Sequence, residues 1–592
     1  MQFAVFADRA AEVEAEEADL ETVSLVADLF VDAGEDLPVV ARFLQGRVFP
    51  GWDSRTLDLG PALCYAALAR AAGPNVTADD VEDRLAEAGE IGAVAASLDL
   101  GGQSGLAAFG GGVGGAGGGT ENGPSVAEVD ATLRDVAAAE GSGSEDTKLA
   151  TLFGLFSKLS PEEARYLSRL VLGEMRIGVG EGTVRDAVAE AFEVPVESVA
   201  AALQVSNDYG MVAELARDEG EPGLGAVRLE VGRPVKAMLA QAGTVTDALE
   251  EWDDVAAEIK FDGARVQVHH DPAGIPPADE DRDPTDSDPR ARLYSRNMED
   301  VTAALPEVRE YVEERLDVPA IVDGEVVAVD DDGGPLPFQE VLRRFRRKHD
   351  VDRMRDEVEL ELHAFDCLLD GREPMDSEAD DLLDVPFRDR HTRLDSLLPD
   401  AASKVLYSAD ADAIESFEAE ALEAGHEGIM LKNPESAYTP GNRGKNWLKR
   451  KPDVETLDCV VTGGEWGEGR RATFFGTFLL SVRDEDGDGF ETVGKVATGI
   501  TDERLAELTE LLEPHVVSES GQTVEFHPEV VFEVGYEEIQ RSPTYSAGFA
   551  LRFPRFVEVR EDKTPETADS LQRVRRLAGV EERAADEDRE DA

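Results

Sequence analysis

The segment Ala257–His269 reads AEIKFDGARVQVH. Two stretches of alternating polar and apolar residues flank Asp262-Gly263, a pair that marks a hairpin or a tight turn. Successive side chains of a strand point to opposite faces, so Glu258 and Lys260 share one face and Ile259 takes the other. A lysine on an inward face is costly unless its charge is used or suppressed. Neighbouring cations or burial would lower its pKa and free the amine as a nucleophile. The same pattern also fits an exposed hairpin with an incidental lysine. What separates the two lies elsewhere in the chain.

Three further segments carry carboxylates or lysines, two of them at strand spacing. Asp323 and Glu325 fall on one face of AIVDGEVVAVD (320–330), Glu427 opens and Lys432 closes EGIMLK (427–432), and Trp447, Lys449 and Lys451 share a face of WLKRK (447–451). Carboxylates facing lysines across a cleft can hold Mg²⁺ and clamp phosphate oxygens. Phosphoryl-type transfer needs mainly such positioning and charge stabilisation. Any one of these segments could be a surface ion pair, but their joint occurrence in one chain is hard to obtain by chance.

A chain of 592 residues exceeds a single hydrophobic core, and 42% hydrophobic residues suffice for several folded domains. Residues 1–228 read as helices. Within them, 148–172 has helical apolar spacing and a helix start at Ser160-Pro161-Glu162-Glu163. The glycine-rich stretch Gly101–Gly119 reads as a surface loop. Residues 229–452 mix short strands with helices, and the charged run Pro276–Arg292 reads as a loop between two strands. Residues 453–580 are β-rich and glycine-punctuated, which suggests a small barrel, and 581–592 read as a disordered acidic tail. The expected fold is multidomain: all-α, then α+β, then β-barrel.

The formal net charge is −68, from 58 Lys+Arg against 126 Asp+Glu. So acidic a surface fits a salt-rich cytoplasm, as does the scarcity of lysine, 12 against 46 arginines. Six of those lysines fall in the motifs named here and below. Acidity ordinarily argues against nucleic-acid binding. At about 1 M salt, however, the screening length is about 3 Å, and phosphate contacts become local ones. Cys64, Cys367 and Cys459 are scattered, so neither a disulfide framework nor a structural zinc site is expected. No signal peptide and no long apolar run is evident, and the expected location is cytoplasmic, away from membranes.

Taken in order, KFDGAR (260–265), SRN (295–297), DGEVVA (323–328), HAFDCLL (363–369), EGIMLK, WLKRK and REDK (560–563) resemble the motifs of covalent nucleotidyltransferases. With GRVFP (46–50), GEMRIGVGEGTV (173–184), GRPVKAMLA (232–240), PFQEVLRR (337–344) and SPTYSAGFALRFPRFVEVREDK (542–563), nearly the whole chain resembles the archaeal–eukaryotic replicative ATP-dependent DNA ligases. The resemblance implies a helical DNA-binding domain, a nucleotidyltransferase (adenylation) domain and an OB-fold domain, the last swinging onto the nucleotide pocket and away again. It also implies that Lys260 takes AMP from ATP and passes it to the 5′-phosphate of nicked duplex DNA.

By the same resemblance Glu258 reads the adenine amino group, Phe365 stacks on the ring, and Arg265 and Arg296 serve ribose or phosphate. Glu325 and Glu427 hold ribose and Mg²⁺, while Lys449 and Lys451 clamp the α-phosphate. Arg443 and Trp447 lie near the nucleotide, Lys432 lies in the same pocket, and Arg560, Asp562 and Lys563 orient pyrophosphate. Gln103, Leu106 and Phe109 resemble a sliding-clamp motif, although Gly110 stands where a second aromatic is usual. A monomer acting in replication, repair and recombination is implied. RNA-capping guanylyltransferases and RNA ligases share KxDGxR, but the large helical region and RFPRF (552–556) weigh against them. NAD-dependent ligases carry a four-cysteine zinc module that three scattered cysteines cannot build. A silent scaffold that keeps the ligase fold would not need these lysines and carboxylates.

Overall fold

The structure is a computed structural model that describes residues 1–100, 123–141, 143–277, 285, 288–330, 333–345, 351–372, 381–450, 456–467, 471–484, 489–497, 500–536, 538–560 and 562–578. The glycine-rich stretch, part of the 276–292 run and the acidic tail lie outside these. The chain forms two compact units, Met1–Arg450 and Lys451–Ala592.

The first unit opens with helices, from Phe3–Glu14 to Gly220–Gly225. They close around a core in which Phe3, Phe6, Phe30, Phe43, Phe156 and Tyr166 are buried. The helical spacing in 148–172 is realised as Ser144–Phe156 and Pro161–Val171. The second starts where Ser160 and Glu163 cap one another: Glu163 N–H donates to Ser160 Oγ (3.3 Å) and Ser160 N–H to Glu163 Oε2 (2.8 Å). Pro161 stands at the first turn, where a missing N–H costs nothing.

Two sheets follow. The strands are β1 (Gln241–Ala242), β2 (Val255–Ile259), β3 (Ala264–His270), β4 (Ala291–Ser295), β5 (Ala320–Val329), β6 (Glu359–Asp370), β7 (Val405–Ser408), β8 (Ile429–Lys432) and β9 (Trp447–Arg450). One sheet has the order β1-β9-β8-β2-β7 and the other β4-β3-β5-β6. Valine-rich β5 is buried almost throughout, as a central strand covered on both faces should be. The sheets meet over Met238, Ile321, Leu368, Tyr438 and Trp447.

Of the two readings of Asp262-Gly263, a hairpin or a tight turn, the structure shows the turn without the hairpin. β2 pairs with β7 and β8, β3 pairs with β4 and β5, and the turn carries the chain from one sheet to the other. Gly263 permits the crossing because its backbone lies against β5. A Cβ there would stand 2.3 Å from Val326 O and 2.8 Å from Glu325 Cγ. Lys260, just past the end of β2, is fastened by its backbone: its N–H donates to Gly428 O (2.9 Å) and its carbonyl accepts from Glu427 N–H (3.2 Å).

The second unit has strands β10 (Thr456–Trp466), β11 (Phe475–Arg483), β12 (Phe490–Val496), β13 (Val516–Ser520), β14 (Thr523–Phe526), β15 (Val531–Gly535), β16 (Glu538–Arg541), β17 (Phe549–Arg552) and β18 (Arg555–Val559). Seven form one sheet, β12-β11-β10-β14-β13 with β15 on β10 and β18 on β15, while β16 and β17 pair separately. The pairings among the described residues do not close this sheet into the small barrel that the sequence suggested. Among the described residues no helix is long and apolar enough to cross a membrane.

Candidate active site

Residues from both sheets of the first unit line a cavity of about 610 Å³. Glu258, Lys260, Arg265, Arg296, Glu325, Phe365, Lys432, Arg443, Trp447 and Lys449 all face it, although they are drawn from 192 residues of chain. Two-residue spacing along the strands turns these side chains the same way, and the crossing at Gly263 brings the two sets together.

Lys260 Nζ contacts the Glu427 carboxylate. The sequence led us to expect a neighbouring cation or burial to activate this amine; the group it touches is an anion. Glu325 stands beside both. Burial pushes its carboxyl up to about 8, against the pull of Arg265 and Lys260 and with Asp323 and Glu427 reinforcing the rise. The arrangement is an amine and one carboxylate, Glu325, at the wall of a nucleotide-sized cavity, with Glu427 in contact with the amine but not itself among the lining residues, suited to holding a cation and a phosphate beside a nucleophile.

Arg265 lines the cavity, but its guanidinium is already engaged. Nε and Nη2 donate to Asp323 at 3.0 and 2.6 Å, and Nη1 donates to Met238 O at 2.7 Å. Tyr438 Oη donates to the same carboxylate (2.7 Å) and accepts from Met238 N–H (3.1 Å), which ties residues 232–240 to the site. Asp323 thus acts on Arg265, while Glu325, on the same face, reaches the cavity. Arg296 and Arg443 are exposed at the rim. Phe365 is half-buried and meets Trp447 edge-on, with ring centroids 6.1 Å apart.

Glu258 lies at the bottom, 2% exposed, and its Oε2 is 2.6 Å from Lys432 Nζ. Ser403 Oγ donates to Oε1 at 3.3 Å. Burial raises the Glu258 carboxyl above the usual range, and Lys432 opposes that rise.

Some expected residues are not gathered here. Lys451 and the clamp-like Gln103, Leu106 and Phe109 lie outside the described residues. Arg560, Asp562 and Lys563 belong to the second unit and cluster around Asp458. Arg560 donates to Asp562 at 2.9 Å and to Asp458 at 3.0 Å, and Lys563 also contacts Asp458. Other residues of the site carry no role assigned from the sequence, although Phe338 and Leu342 fall within PFQEVLRR (337–344). Phe338, Leu342 and Phe345 line the cavity from the helix Phe338–Phe345, and their spacing of four and three was a readable signal. Ser403 and Tyr438 gave none, because each acts through a partner far away in sequence.

Residues 237–451 match the family profile for the ATP-dependent DNA ligase domain, 2–189 that for the DNA ligase N terminus, and 471–563 that for the ATP-dependent DNA ligase C-terminal region. The chain is 65% identical to a DNA ligase of Haloferax volcanii over 98% of its own length and 100% of that protein. The chain belongs to the ATP-dependent DNA ligase family. A Halobacterium salinarum DNA ligase is 64% identical over 98% of this ligase and 100% of its own length. A solved structure named Pmar-Lig_PreS3 shares the fold, with a TM-score of 0.53, 15% identity, and coverage of 94% of this ligase and 99% of that chain.

Proposed function

We propose that the ligase seals 5′-phosphate/3′-hydroxyl nicks in duplex DNA through AMP carried on Lys260. The observation that carries this is the placement of Lys260 Nζ against Glu427, beside Glu325, in a cavity that also holds Phe365 and Lys449. The lysine lone pair attacks the α-phosphorus of ATP, the bond to the bridging oxygen breaks, and pyrophosphate leaves. The 5′-phosphate of the nick then displaces Lys260 from AMP. The 3′-hydroxyl attacks that phosphate last, and AMP departs as the backbone closes.

In this reading Glu258 accepts from the adenine amino group and Phe365 stacks on the ring. Arg265, fixed by Asp323, Arg296 at the rim and Arg443 face ribose and phosphates, and Lys449 and Lys451 steady the α-phosphate. Glu325 and Glu427 would hold Mg²⁺. Two carboxylates without a third suit a cation that completes its shell with water and phosphate oxygens. When bound, the ion would offset charge building on the phosphates.

We assign residues 1–228 to a helical DNA-binding domain, 229–452 to adenylation, and 453–580 to an OB-fold-type domain, a class that can remain partly open. Arg560, Asp562 and Lys563 on the last would orient pyrophosphate in the first step. Gly178, with a φ of +75° and open space where a Cβ would be, suits close approach of a phosphate. A monomer in the cytoplasm serving replication, repair and recombination, with a sliding clamp held through Gln103, Leu106 and Phe109, completes the proposal. The test is sealing of a nicked duplex in high KCl with Mg²⁺. ATP supports it while NAD and GTP do not, and sealing driven by NAD alone would overturn the reading.

A further inference from the structure

Lys432 is 1% exposed, and no role in the reaction sketched above uses it. Its ammonium sits 4.7 Å from the ring centroid of Phe365, 4.4 Å from that of Phe387 and 4.3 Å from that of Trp447. It donates to Phe365 O at 3.2 Å and pairs with Glu258 at 2.6 Å. A second buried acid, Asp366, is taken by Arg390 through bonds of 2.7 and 2.9 Å. Two neutral pairs therefore stand side by side, and among the described residues Glu258 is the carboxylate that answers Lys432.

An ammonium this deep is costly, and a carboxylate beside it does not by itself recover the cost. The geometry does something else. Three aromatic faces fix where the ammonium can be, the ammonium fixes Glu258 Oε2, and Ser403 Oγ fixes Oε1. Each carboxylate oxygen keeps a second lone pair, and Glu258 faces the cavity. Phe365 is shared: one of its faces lies toward Lys432, and the ring also lines the cavity.

We propose that Lys432 is a positioning residue for nucleobase recognition, its caged ammonium holding the Glu258 carboxylate as a fixed acceptor for the 6-amino group of a purine. This rests on the reading that Glu258 faces the base. A 6-amino purine presents a donor to that acceptor. A 6-oxo purine presents an oxygen and is repelled, and a purine with hydrogen at position 6 leaves the carboxylate unanswered.

The experiment compares self-adenylylation with ATP and with purine riboside triphosphate, which lacks the 6-amino group, in high KCl. Wild type prefers ATP in kcat/KM. In Lys432→Met the preference falls about tenfold or more, as expected for a charged hydrogen bond that loses its fixed geometry. The loss enters through the KM for ATP. Maximal rates with both nucleotides, and the KM for the analogue, stay within about threefold. Phe387→Leu removes one wall of the cage, keeps the Lys432–Glu258 pair, and lowers the preference about threefold; it decides the matter if Lys432→Met does not fold. An undiminished preference in the variants, or an equal loss with both nucleotides, would reduce Lys432 to a structural pair and overturn the proposal. A wild type without any preference would instead overturn the role given to Glu258, and this proposal with it.

Discussion

Lys260 and Glu427 hold one another, and Glu325 completes the trio with a carboxyl pushed up to about 8. The folded chain binds that proton more tightly than the unfolded chain, in which the group has its ordinary value of 4.5. Between those two values the folded state carries the extra proton, so this group's contribution to stability falls as pH rises through the window. Melting temperatures measured from pH 5 to pH 8 without Mg²⁺ should therefore decline more steeply for wild type than for Glu325→Gln. Parallel curves would show that Glu325 titrates normally. Cation binding needs the ionised carboxylate, so Mg²⁺-dependent adenylation should climb over the same range. At this scale the sequence is half legible. The two-residue spacings put Glu258 with Lys260 and Trp447 with Lys449 on shared faces. They do not say that Glu258 meets Lys432, or that Arg265 is spoken for by Asp323, because those pairs form between strands whose register no periodicity encodes.

The turn at Asp262-Gly263 is the element on which the site depends. Its sequence reads as a hairpin or a tight turn, and no hairpin forms because the flanking strands find partners in separate sheets: β3 matches β5 over seven residue pairs, Ala264–Val326 to His270–Ala320. A local turn signal cannot compete with ladders of that length. Glycine is required because the chain passes against Val326 O. Gly263→Ala should push Lys260 and Glu325 apart by a fraction of an ångström to an ångström, and a misplacement of that size costs on the order of 100-fold in rate. We expect self-adenylylation to slow by that order while circular dichroism remains that of a folded protein. A rate within threefold of wild type would contradict the close packing. Helix starts were easier to read. Ser160-Pro161-Glu162-Glu163 caps its helix as its residues suggest, because a capping box closes within four residues and needs no distant partner.

Across the molecule the net charge of −68 is spread over surfaces such as the helix Ala78–Ala88, where Asp79, Asp80, Glu82, Asp83 and Glu87 are all exposed. Like charges at this density oppose compaction unless counterions screen them. Fluorescence-monitored unfolding and nick sealing should both require KCl on the order of 1 M. Full activity in dilute buffer would show that the acidic surface does not need salt. The order of helical, mixed and β-rich regions could be read from composition and periodicity; how the sheet of the second unit pairs could not, because β10 takes neighbours from three separate places in the sequence. The central claim is that Lys260 carries AMP. Incubation with α-labelled ATP and Mg²⁺ in high KCl, beside Lys260→Ala, tests it directly. Label that survives denaturation on wild type alone, and leaves it when nicked duplex is added and sealed, is the predicted result. Label on the variant, or sealing by wild type without any labelled protein, would contradict it.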